Sequence, residues 1–268
     1  MLGTHQLGET DLIVTLLTAR TGTVRGVARA ARRSRKRFGG ALEPMTRVAA
    51  EWSERSGRDL HRIDTLEARR SFAGMQAEPV HQAACAILCE VAGAMVREGE
   101  SDHAMFRLLA AVLEALEAGM PPEVAVRYFE LWTLKLHGLL PEIRRCNGCG
   151  VDLGERCWVS ADEGLVCPGC ARSEGRSARL LHKGERAFLV DAIRRPPAEL
   201  ADHREASRPG GALELLLRGT LQAFVERGFR SYRHFDAALR ALGTSPNNLG
   251  TSPNNQPTGD DAPAEETP

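Results

Sequence analysis

Four of the seven cysteines fall into two closely spaced pairs. These pairs are Cys146-Asn-Gly-Cys149 and Cys167-Pro-Gly-Cys170, and 17 residues separate them. Two C-x-x-C units at this separation are typical of a structural zinc site, because each tight turn directs two thiolates towards one tetrahedral centre. Four thiolates also fill the coordination sphere of Zn²⁺ and leave no position for a reactive water. The spacing therefore predicts structural, non-catalytic zinc at Cys146, Cys149, Cys167 and Cys170.

The remaining three cysteines form no such unit. Cys157 lies between the two pairs, while Cys85 and Cys89 stand four residues apart, on one face if their segment is helical. Cys85 and Cys89 could bind a metal, but buried free thiols are the favoured interpretation, since cysteine packs as a small hydrophobic residue. For the two C-x-x-C units, the alternatives to zinc are a redox dithiol pair and cysteines without metal.

A second chemically distinctive stretch lies near the N-terminus. Between Val24 and Leu42 there are seven basic residues and no acidic one, namely Arg25, Arg29, Arg32, Arg33, Arg35, Lys36 and Arg37. Guanidinium groups can each meet a phosphate, so the run predicts binding to a polyanion such as nucleic acid. A solvated loop and a nuclear address are the alternatives. Phe38 is the aromatic residue best placed to stack on a base, whereas Trp52 is expected to pack in the core.

The sequence lacks the common catalytic motifs. It contains no G-x-x-x-x-G-K-[ST] loop, no G-x-G-x-x-G after a strand and no H-E-x-x-H. The eight histidines are scattered, and none accompanies an obvious nucleophile. Glu9 and Asp11 could bind a divalent ion, but two acids in a turn are more often part of the turn. We therefore expect no enzyme activity and no small-molecule substrate.

Composition and charge place further bounds on function. The 268 residues are 43% apolar and 26% charged, which is typical of a globular protein of one large or two ordinary domains. The formal net charge is zero, yet residues 1–73 hold 14 basic and 8 acidic residues. This asymmetry favours a polyanion partner for the first part.

No apolar run is long enough for a membrane span, and no signal peptide is recognisable, so we expect a cytoplasmic protein without a membrane partner.

The first part of the chain has the pattern of short strands. Residues 11–18, 23–28, 45–52 and 60–66 are rich in β-branched and apolar residues, with turn residues between them. So few strands must hide their edges by curling, which favours a small closed barrel over a sandwich. Only Met1–Leu7 precede the Gly8-Glu-Thr-Asp11 turn, so any strand before that turn is expected to be short or absent.

From Pro79 onward the apolar period changes to about 3.6 residues. Helices are predicted at 80–97, after Ser101 as N-cap, from Pro121-Pro122-Glu123, and at 184–194, 213–225 and 232–242.

The tail repeats Gly-Thr-Ser-Pro-Asn-Asn and then becomes acidic, a composition that predicts disorder. The sequence therefore predicts an α+β protein with a barrel at 1–73, a helical domain at 74–243 with the zinc knuckle at about 144–172, and a disordered tail at 244–268.

Several of these motifs occur in a characteristic order. Gly8-Glu-Thr-Asp11, Gly26-Val-Ala-Arg29 and Arg37-Phe-Gly-Gly-Ala-Leu-Glu-Pro44 precede the paired cysteines and Arg230-Ser-Tyr-Arg-His-Phe235. In this order they resemble the RecO family of bacterial DNA repair proteins. The resemblance implies an N-terminal OB-fold barrel, a helical domain and a zinc knuckle, with the basic run on the DNA-binding barrel.

The same resemblance implies a function. Members bind single- and double-stranded DNA, anneal complementary strands, and work with RecR to load RecA onto DNA coated by single-strand-binding protein. It implies a bacterial, nucleoid-associated protein, which disfavours a nuclear address as the role of the basic run. An RNA- or ribosome-associated protein with an OB-fold and zinc is the alternative, and a zinc enzyme acting on nucleic acid is disfavoured by the fourth cysteine.

Overall fold

The computed structural model describes residues 1–54, 60–173, 178–207 and 210–243. A five-stranded sheet comes first, and a mostly helical region that contains a three-stranded sheet follows it. The α+β class is therefore confirmed. The tail predicted to be disordered, 244–268, lies outside the described residues. The domain division between residues 73 and 74 stays a prediction.

The N-terminal sheet contains the strands β1 (Gly3–Leu7), β2 (Asp11–Thr18), β3 (Gly22–Ala28), β4 (Arg47–Ser53) and β5 (His61–Arg70). Between β3 and β4 the chain forms a one-turn helix, α1 (Arg35–Phe38), and then a 3-10 turn. The strand before the Gly8 turn is thus present and five residues long. It is short rather than absent.

The strand order is β1-β2-β3-β5-β4, and each neighbouring pair is antiparallel except β3 with β5. Backbone hydrogen bonds connect the two ends of this order: the amino group of Met1 donates to the Thr46 carbonyl at 2.9 Å, and the Met45 N–H donates to the Met1 carbonyl at 2.9 Å. The segment before β1 therefore meets the segment before β4. The sheet curls into the small OB-like barrel that the sequence predicted.

The barrel interior is filled by alternate residues of its strands. Val14 and Leu16 of β2, Val24 of β3 and Ile63 of β5 are almost fully buried in one cluster. At Gly26 an added Cβ would approach the Ile63 side chain to 2.6 Å, so only glycine fits opposite this residue. Tight packing of this kind holds β3 in place, and β3 carries Arg25, the first residue of the basic run.

The helical region contains the longer helices α2 (Pro79–Met95), α3 (His103–Glu117), α4 (Pro122–Leu136), α6 (Lys183–Ala192), α7 (Ala212–Phe224) and α8 (Ser231–Gly243), and the short α5 (Pro168–Arg172). All six longer helices agree with the predicted segments within a few residues. The predicted N-cap of α3 was wrong. Asp102, not Ser101, caps this helix, because its carboxylate accepts the Met105 N–H at 2.8 Å while the Ser101 hydroxyl donates to the Ala19 carbonyl.

A buried ion pair lies between the helices of this region. Arg127 of α4 donates to Glu130 at 2.5 Å, and the Tyr232 hydroxyl of α8 donates to the other oxygen of Glu130 at 2.5 Å. A second carboxylate, Glu214 of α7, lies 3.5 Å from Arg127. Removing Arg127 or Glu130 would leave an unpaired buried charge, and the contacts of this pair with Tyr232 and Glu214 tie three helices together.

The barrel packs directly against the helices. Leu2 and Leu17 of the barrel belong to the hydrophobic cluster of the helical region. The Thr23 hydroxyl donates to the Val96 carbonyl at 2.8 Å, just beyond α2. A Cβ on Gly22 would lie 2.1 Å from the Glu100 carbonyl oxygen, so a glycine permits this close approach. The start of β3 is therefore fastened to the end of α2.

A second, smaller sheet is inserted after α4. It contains β6 (Cys157–Ser160), β7 (Gly164–Val166) and β8 (Ala178–Leu181) in the order β7-β6-β8. The buried face of β6 packs into the helical cluster through Cys157 and Val159. This sheet carries the second cysteine pair at the end of β7. Among the helices of the described residues, none has the length and apolar character needed to cross a bilayer.

Candidate metal centre and nucleic-acid interface

The four predicted ligands converge on one point. The sulfur atoms of Cys146, Cys149, Cys167 and Cys170 all lie within 4.8 Å of one another, and Cys149 Sγ is 3.7 Å from Cys167 Sγ. Four sulfurs bound to zinc at about 2.3 Å in a tetrahedron stand about 3.8 Å apart. The observed cluster thus has the size of a tetrahedral thiolate site, and the predicted set of cysteines is confirmed as a cluster.

Local backbone structure holds each pair in place. In the first pair, Cys146 N–H donates to the Val151 carbonyl and Gly150 N–H donates to the Cys146 carbonyl, both at 2.8 Å. In the second pair, Cys167 is the N-cap of α5, and its sulfur accepts the Cys170 N–H. A Cβ on Gly148 would lie 2.9 Å from Glu163 Oε2 and 3.1 Å from Cys170 Sγ, so glycine lets the first pair approach Cys170 closely.

The electrostatics of the cluster favour a cation. Burial disfavours the charged form of Cys146, but the backbone N–H groups of Cys167, Cys149 and Gly148 lower the pKa of its thiol to about 6. Contacts with the sulfurs of Cys149 and Cys146 raise the pKa of Cys170 to about 12. One thiolate therefore forms readily, while a full set of four negative sulfurs requires a cation among them.

The remaining cysteines stand apart from this cluster. Cys157 is fully buried at the start of β6, and burial raises the pKa of its thiol. Burial likewise raises the pKa of Cys85 to about 11 and that of Cys89 to about 12. High pKa values make these thiols poor nucleophiles, and none of the three belongs to the four-sulfur cluster. Cys85 and Cys89 are free and largely buried, as predicted.

The basic run follows β3 and then folds back. Arg25 lies in β3 with an exposed side chain, Arg29, Arg32 and Arg33 lie in the exposed turn after it, and Arg35, Lys36 and Arg37 lie in α1. The side chain of Arg35 is outside the described part of the structure. The run is therefore an ordered turn with one helical turn, whereas the sequence had predicted only a strand and a loop.

The turn is held by residues of the β1–β2 turn. Asp11 Oδ1 accepts the Ala30 N–H at 2.8 Å, and Ala30 adopts a left-handed conformation with φ of 52°. This hydrogen bond, with another from Thr10, lowers the pKa of the Asp11 carboxyl. The Arg32 N–H donates to the Thr10 carbonyl at 3.2 Å. Asp11 is thus an anchor of the basic turn, and its Gly-Glu-Thr-Asp context is the signal that identifies it.

The charges of the run are not cancelled by acids. Arg32 Nη1 donates to the Glu9 carbonyl at 2.9 Å, and Arg37 Nη2 donates to the Arg29 carbonyl at 2.6 Å. Both partners are neutral, so they orient the guanidinium groups without neutralising them. Among the described side chains of the run, none lies within ion-pair distance of a carboxylate. Two acids lie near the run: the charge of Arg29 acts on Asp11, and the Arg25 backbone N–H donates to Glu98 Oε1 at 3.3 Å. The surface around the turn therefore keeps its positive charge.

The aromatic residue proposed for base stacking does not have that role. Phe38 is 1% exposed and lies inside the barrel cluster, with the Arg37 guanidinium 4.9 Å from its ring centre. The prediction was wrong because α1 turns this position inward, where an apolar ring closes the barrel. Trp52 is half-buried and packs against the same cluster, as expected.

Comparisons with known proteins match both parts of the chain. The family model described as Recombination protein O N terminal matches residues 1–72, and Recombination protein O C terminal matches residues 77–233. A DNA repair protein RecO from Anaeromyxobacter dehalogenans (strain 2CP-C) is 41% identical over 238 residues, which cover 88% of this chain and 93% of that protein.

Two further relatives have the same description. DNA repair protein RecO from Anaeromyxobacter sp. (strain K) is 42% identical over 175 residues, 65% of this chain and 69% of that protein. The one from Koribacter versatilis (strain Ellin345) is 34% identical over 203 residues, 74% of this chain and 80% of that protein.

Proposed function

Because the chain belongs to the RecO family, whose role is in DNA repair and recombination, we propose that it is a DNA-binding recombination mediator. It binds single- and double-stranded DNA and anneals complementary strands. With RecR, it helps to load RecA onto DNA coated by single-strand-binding protein, in the cytoplasm and at the nucleoid. These partners follow from the resemblance described above.

The ordered basic turn supports this proposal most directly. Arg29, Arg32 and Arg33 have exposed side chains, and the hydrogen-bond partners of Arg32 and Arg37 are carbonyl groups, so the positive charge remains available to a phosphate backbone. Affinity for nucleic acid comes largely from such contacts, since each neutralised phosphate releases counterions. Arg25, Arg29, Arg32, Arg33, Arg35, Lys36 and Arg37 together form the proposed DNA-binding surface.

Annealing needs no chemical step on this surface. Two complementary strands repel one another through their phosphates, and a basic surface that neutralises both lowers this repulsion until bases pair. We therefore propose that the protein acts without hydrolysing nucleotides and is not an enzyme.

We propose that the cysteine cluster binds Zn²⁺. Cys146, Cys149, Cys167 and Cys170 would hold the ion, and it would supply the positive charge that lets four thiolates lie side by side. The ion would have a structural role, because its ligands come from the loop after α4 and from the end of β7, next to the small sheet.

Annealing of complementary DNA oligonucleotides labelled with a fluorescence donor and acceptor tests the main proposal. The purified protein should accelerate pairing, both for bare strands and for strands coated by single-strand-binding protein. An Arg194→Ala variant serves as a control, because Arg194 is an exposed residue of the helical region.

The opposite results are equally clear. If the wild-type protein leaves the annealing rate unchanged in both formats, the mediator proposal fails. If RNA strands anneal faster with the protein and DNA strands do not, the RNA-associated alternative is favoured.

A further inference from the structure

A groove of about 790 Å³ runs between the outer face of the barrel and α2. On the barrel side it is lined by His5, Thr15 and Arg25, which belong to three neighbouring strands. On the helical side it is lined by α2 and by Arg227, which lies between α7 and α8. The groove therefore brings together residues about 200 positions apart in the sequence.

The sequence of α2 explains why this space is open. The lining residues of the helix recur every three or four positions and so share one face: Gln82, Cys85, Ala86, Cys89, Glu90 and Gly93. Most of these side chains are short, so they cannot reach across to the sheet. At Gly93 an added Cβ would lie 3.5 Å from the Leu2 side chain, so helix and barrel are already in near contact there.

The groove carries two arginines on opposite walls. Arg25 and Arg227 both have exposed side chains, and within the described part of the chain neither forms an ion pair. One acidic side chain, Glu90, also lines the groove. Its oxygens are occupied by the Arg230 N–H at 3.0 Å, the Ser231 N–H at 2.9 Å and the Ser231 hydroxyl at 2.5 Å. Glu90 thus anchors the start of α8, and its negative charge also attracts the Arg227 guanidinium. Because no carboxylate of the described residues lies within ion-pair distance of either guanidinium group, both can still contact an anion.

The groove is continuous with the basic turn. Arg25 and Arg29 lie four residues apart along the direction of β3, a distance of about 13 Å for an extended chain. In the β2–β3 pairing, Arg25 stands opposite Thr15 and Val27 opposite Ile13, so one outward row of side chains leads from the groove towards Arg29. A bound polymer can therefore pass from one basic group to the next.

We propose that this groove binds the sugar-phosphate backbone of one DNA strand, held between Arg25 of the barrel and Arg227 of the helical region. This inference rests on the proposed DNA-binding function and adds Arg227 to its surface. The volume lies in the range of about 300–1,000 Å³ found for small-molecule pockets, so a few nucleotides of a single strand are the occupant that we propose. During annealing the groove holds the first strand, and the basic turn beyond it is left to attract the second.

Two variants test the groove in different ways. Arg227→Ala removes one phosphate partner, and Ala86→Phe fills the groove without changing any charge. Matched controls are Arg107→Ala, an exposed arginine of α3, and Ala187→Phe, an exposed alanine of α6, because neither residue lines the groove. The measurement is fluorescence anisotropy of a labelled oligo(dT) strand and of a duplex of equal length, each at several salt concentrations.

We expect Arg227→Ala to weaken single-strand binding about 10-fold or more, as for loss of one hydrogen bond to a charged group. Ala86→Phe should also weaken single-strand binding, because its ring occupies the groove. For Arg227→Ala the slope of log affinity against log salt should also fall by about 0.7, the contribution of one phosphate on a single strand. Arg227→Lys should recover part of the affinity, since it keeps the charge. Duplex binding by these variants and single-strand binding by the controls should remain at the wild-type level.

The possible failures are distinguishable. Wild-type affinity for the single strand in both Arg227→Ala and Ala86→Phe, with weaker binding in Arg29→Ala, would overturn the groove and leave the DNA-binding function intact. Equal losses for single strand and duplex would overturn the assignment to one strand. If the wild-type protein binds neither, the proposed function itself fails. Thermal unfolding shows whether Ala86→Phe is folded, and if it is not, the Arg227 variants decide the question.

Discussion

In the barrel, Arg25, Arg29 and Arg33 have exposed side chains without a carboxylate partner in the described structure, whereas Arg127 of the helical region is 3% exposed and contacts two carboxylates. Arg218 resembles Arg127, since it lies 3.1 Å from both Glu214 and Asp236. The same residue type thus has two uses. An arginine that contacts carboxylates joins helices. An arginine that contacts only carbonyl groups keeps its charge available for a binding partner.

This difference separates stability from binding. Removing a buried, paired arginine should destabilise the fold, and this loss does not depend on DNA binding. Removing an exposed arginine should weaken DNA binding and leave the fold intact. The following predictions test the two uses, in order of decreasing effect.

Loss of the metal site should have the largest effect, and it should be confined to the helical region. Cys167→Ser removes one ligand, so we expect metal analysis to fall from one zinc per chain to none, with loss of a binding free energy on the order of 10 kcal/mol. Cys157→Ala is the control and should retain zinc, because Cys157 is buried away from the cluster. Retention of zinc by Cys167→Ser would contradict the four-cysteine assignment.

Arg127→Ala should lower the free energy of unfolding by about 3–5 kcal/mol, because it leaves Glu130 buried and unpaired. Urea denaturation followed by circular dichroism measures this loss. Arg25→Ala is the matched control, and its exposed side chain predicts a change of about 0.5 kcal/mol or less. Equal destabilisation by the two substitutions would remove the distinction between paired and exposed arginines.

Arg29→Ala combined with Arg33→Ala should weaken duplex DNA binding about tenfold or more and leave the unfolding free energy unchanged. Two lost phosphate contacts should reduce the slope of log affinity against log salt by about 1.8 on duplex DNA and about 1.4 on a single strand. Titrations at several salt concentrations measure both values. An unchanged slope would mean that the turn does not contact the phosphate backbone.

Glu90→Gln should have the smallest effect, at about 1.5 kcal/mol of stability at neutral pH. Partial burial acts to raise the pKa of the Glu90 carboxyl, but hydrogen bonds from Ser231 and Arg230 hold this pKa below its usual value. A carboxyl with a lowered pKa in the folded state stabilises the protein above its unfolded pKa, and this contribution disappears as the pH falls through the folded pKa. The variant should therefore unfold with a weaker dependence on pH in the acid range. An unchanged acid dependence would rule out Glu90 as the anchor of α8.

Sequence patterns predicted the secondary structure well where local geometry decides it. The observed β2 has the predicted bounds of Asp11–Thr18, and the helix predicted after Ser101 is present as α3, which buries Met105, Leu109, Val112 and Leu116. The choice of Ser101 over Asp102 as the N-cap was wrong, because either residue type suits that position and only the path of the chain decides between them.

Tertiary contacts decided the roles of several single residues. Phe38 lies in a basic run and resembles a stacking residue, yet the helical turn that carries it buries the ring in the barrel. Asp11 is an acid in a turn by sequence, and the fold makes it the partner of the Ala30 N–H. Both roles depend on residues far along the chain or on the direction of a short turn, and neither leaves a periodic signal.

The sequence by itself determined most of the longer helices and strands, the four-cysteine cluster and the position of the basic run. Helix and strand periods arise from the local backbone, and each C-x-x-C unit brings two ligands together within one turn. Only the tertiary structure decided which arginines are neutralised and which face a groove. Arg25 and Arg227 line the same groove because Thr23 of β3 is hydrogen-bonded to Val96 at the end of α2, and Glu90 of α2 anchors the start of α8. Which side chains line one groove depends on how separate elements pack, and that packing depends on the whole chain.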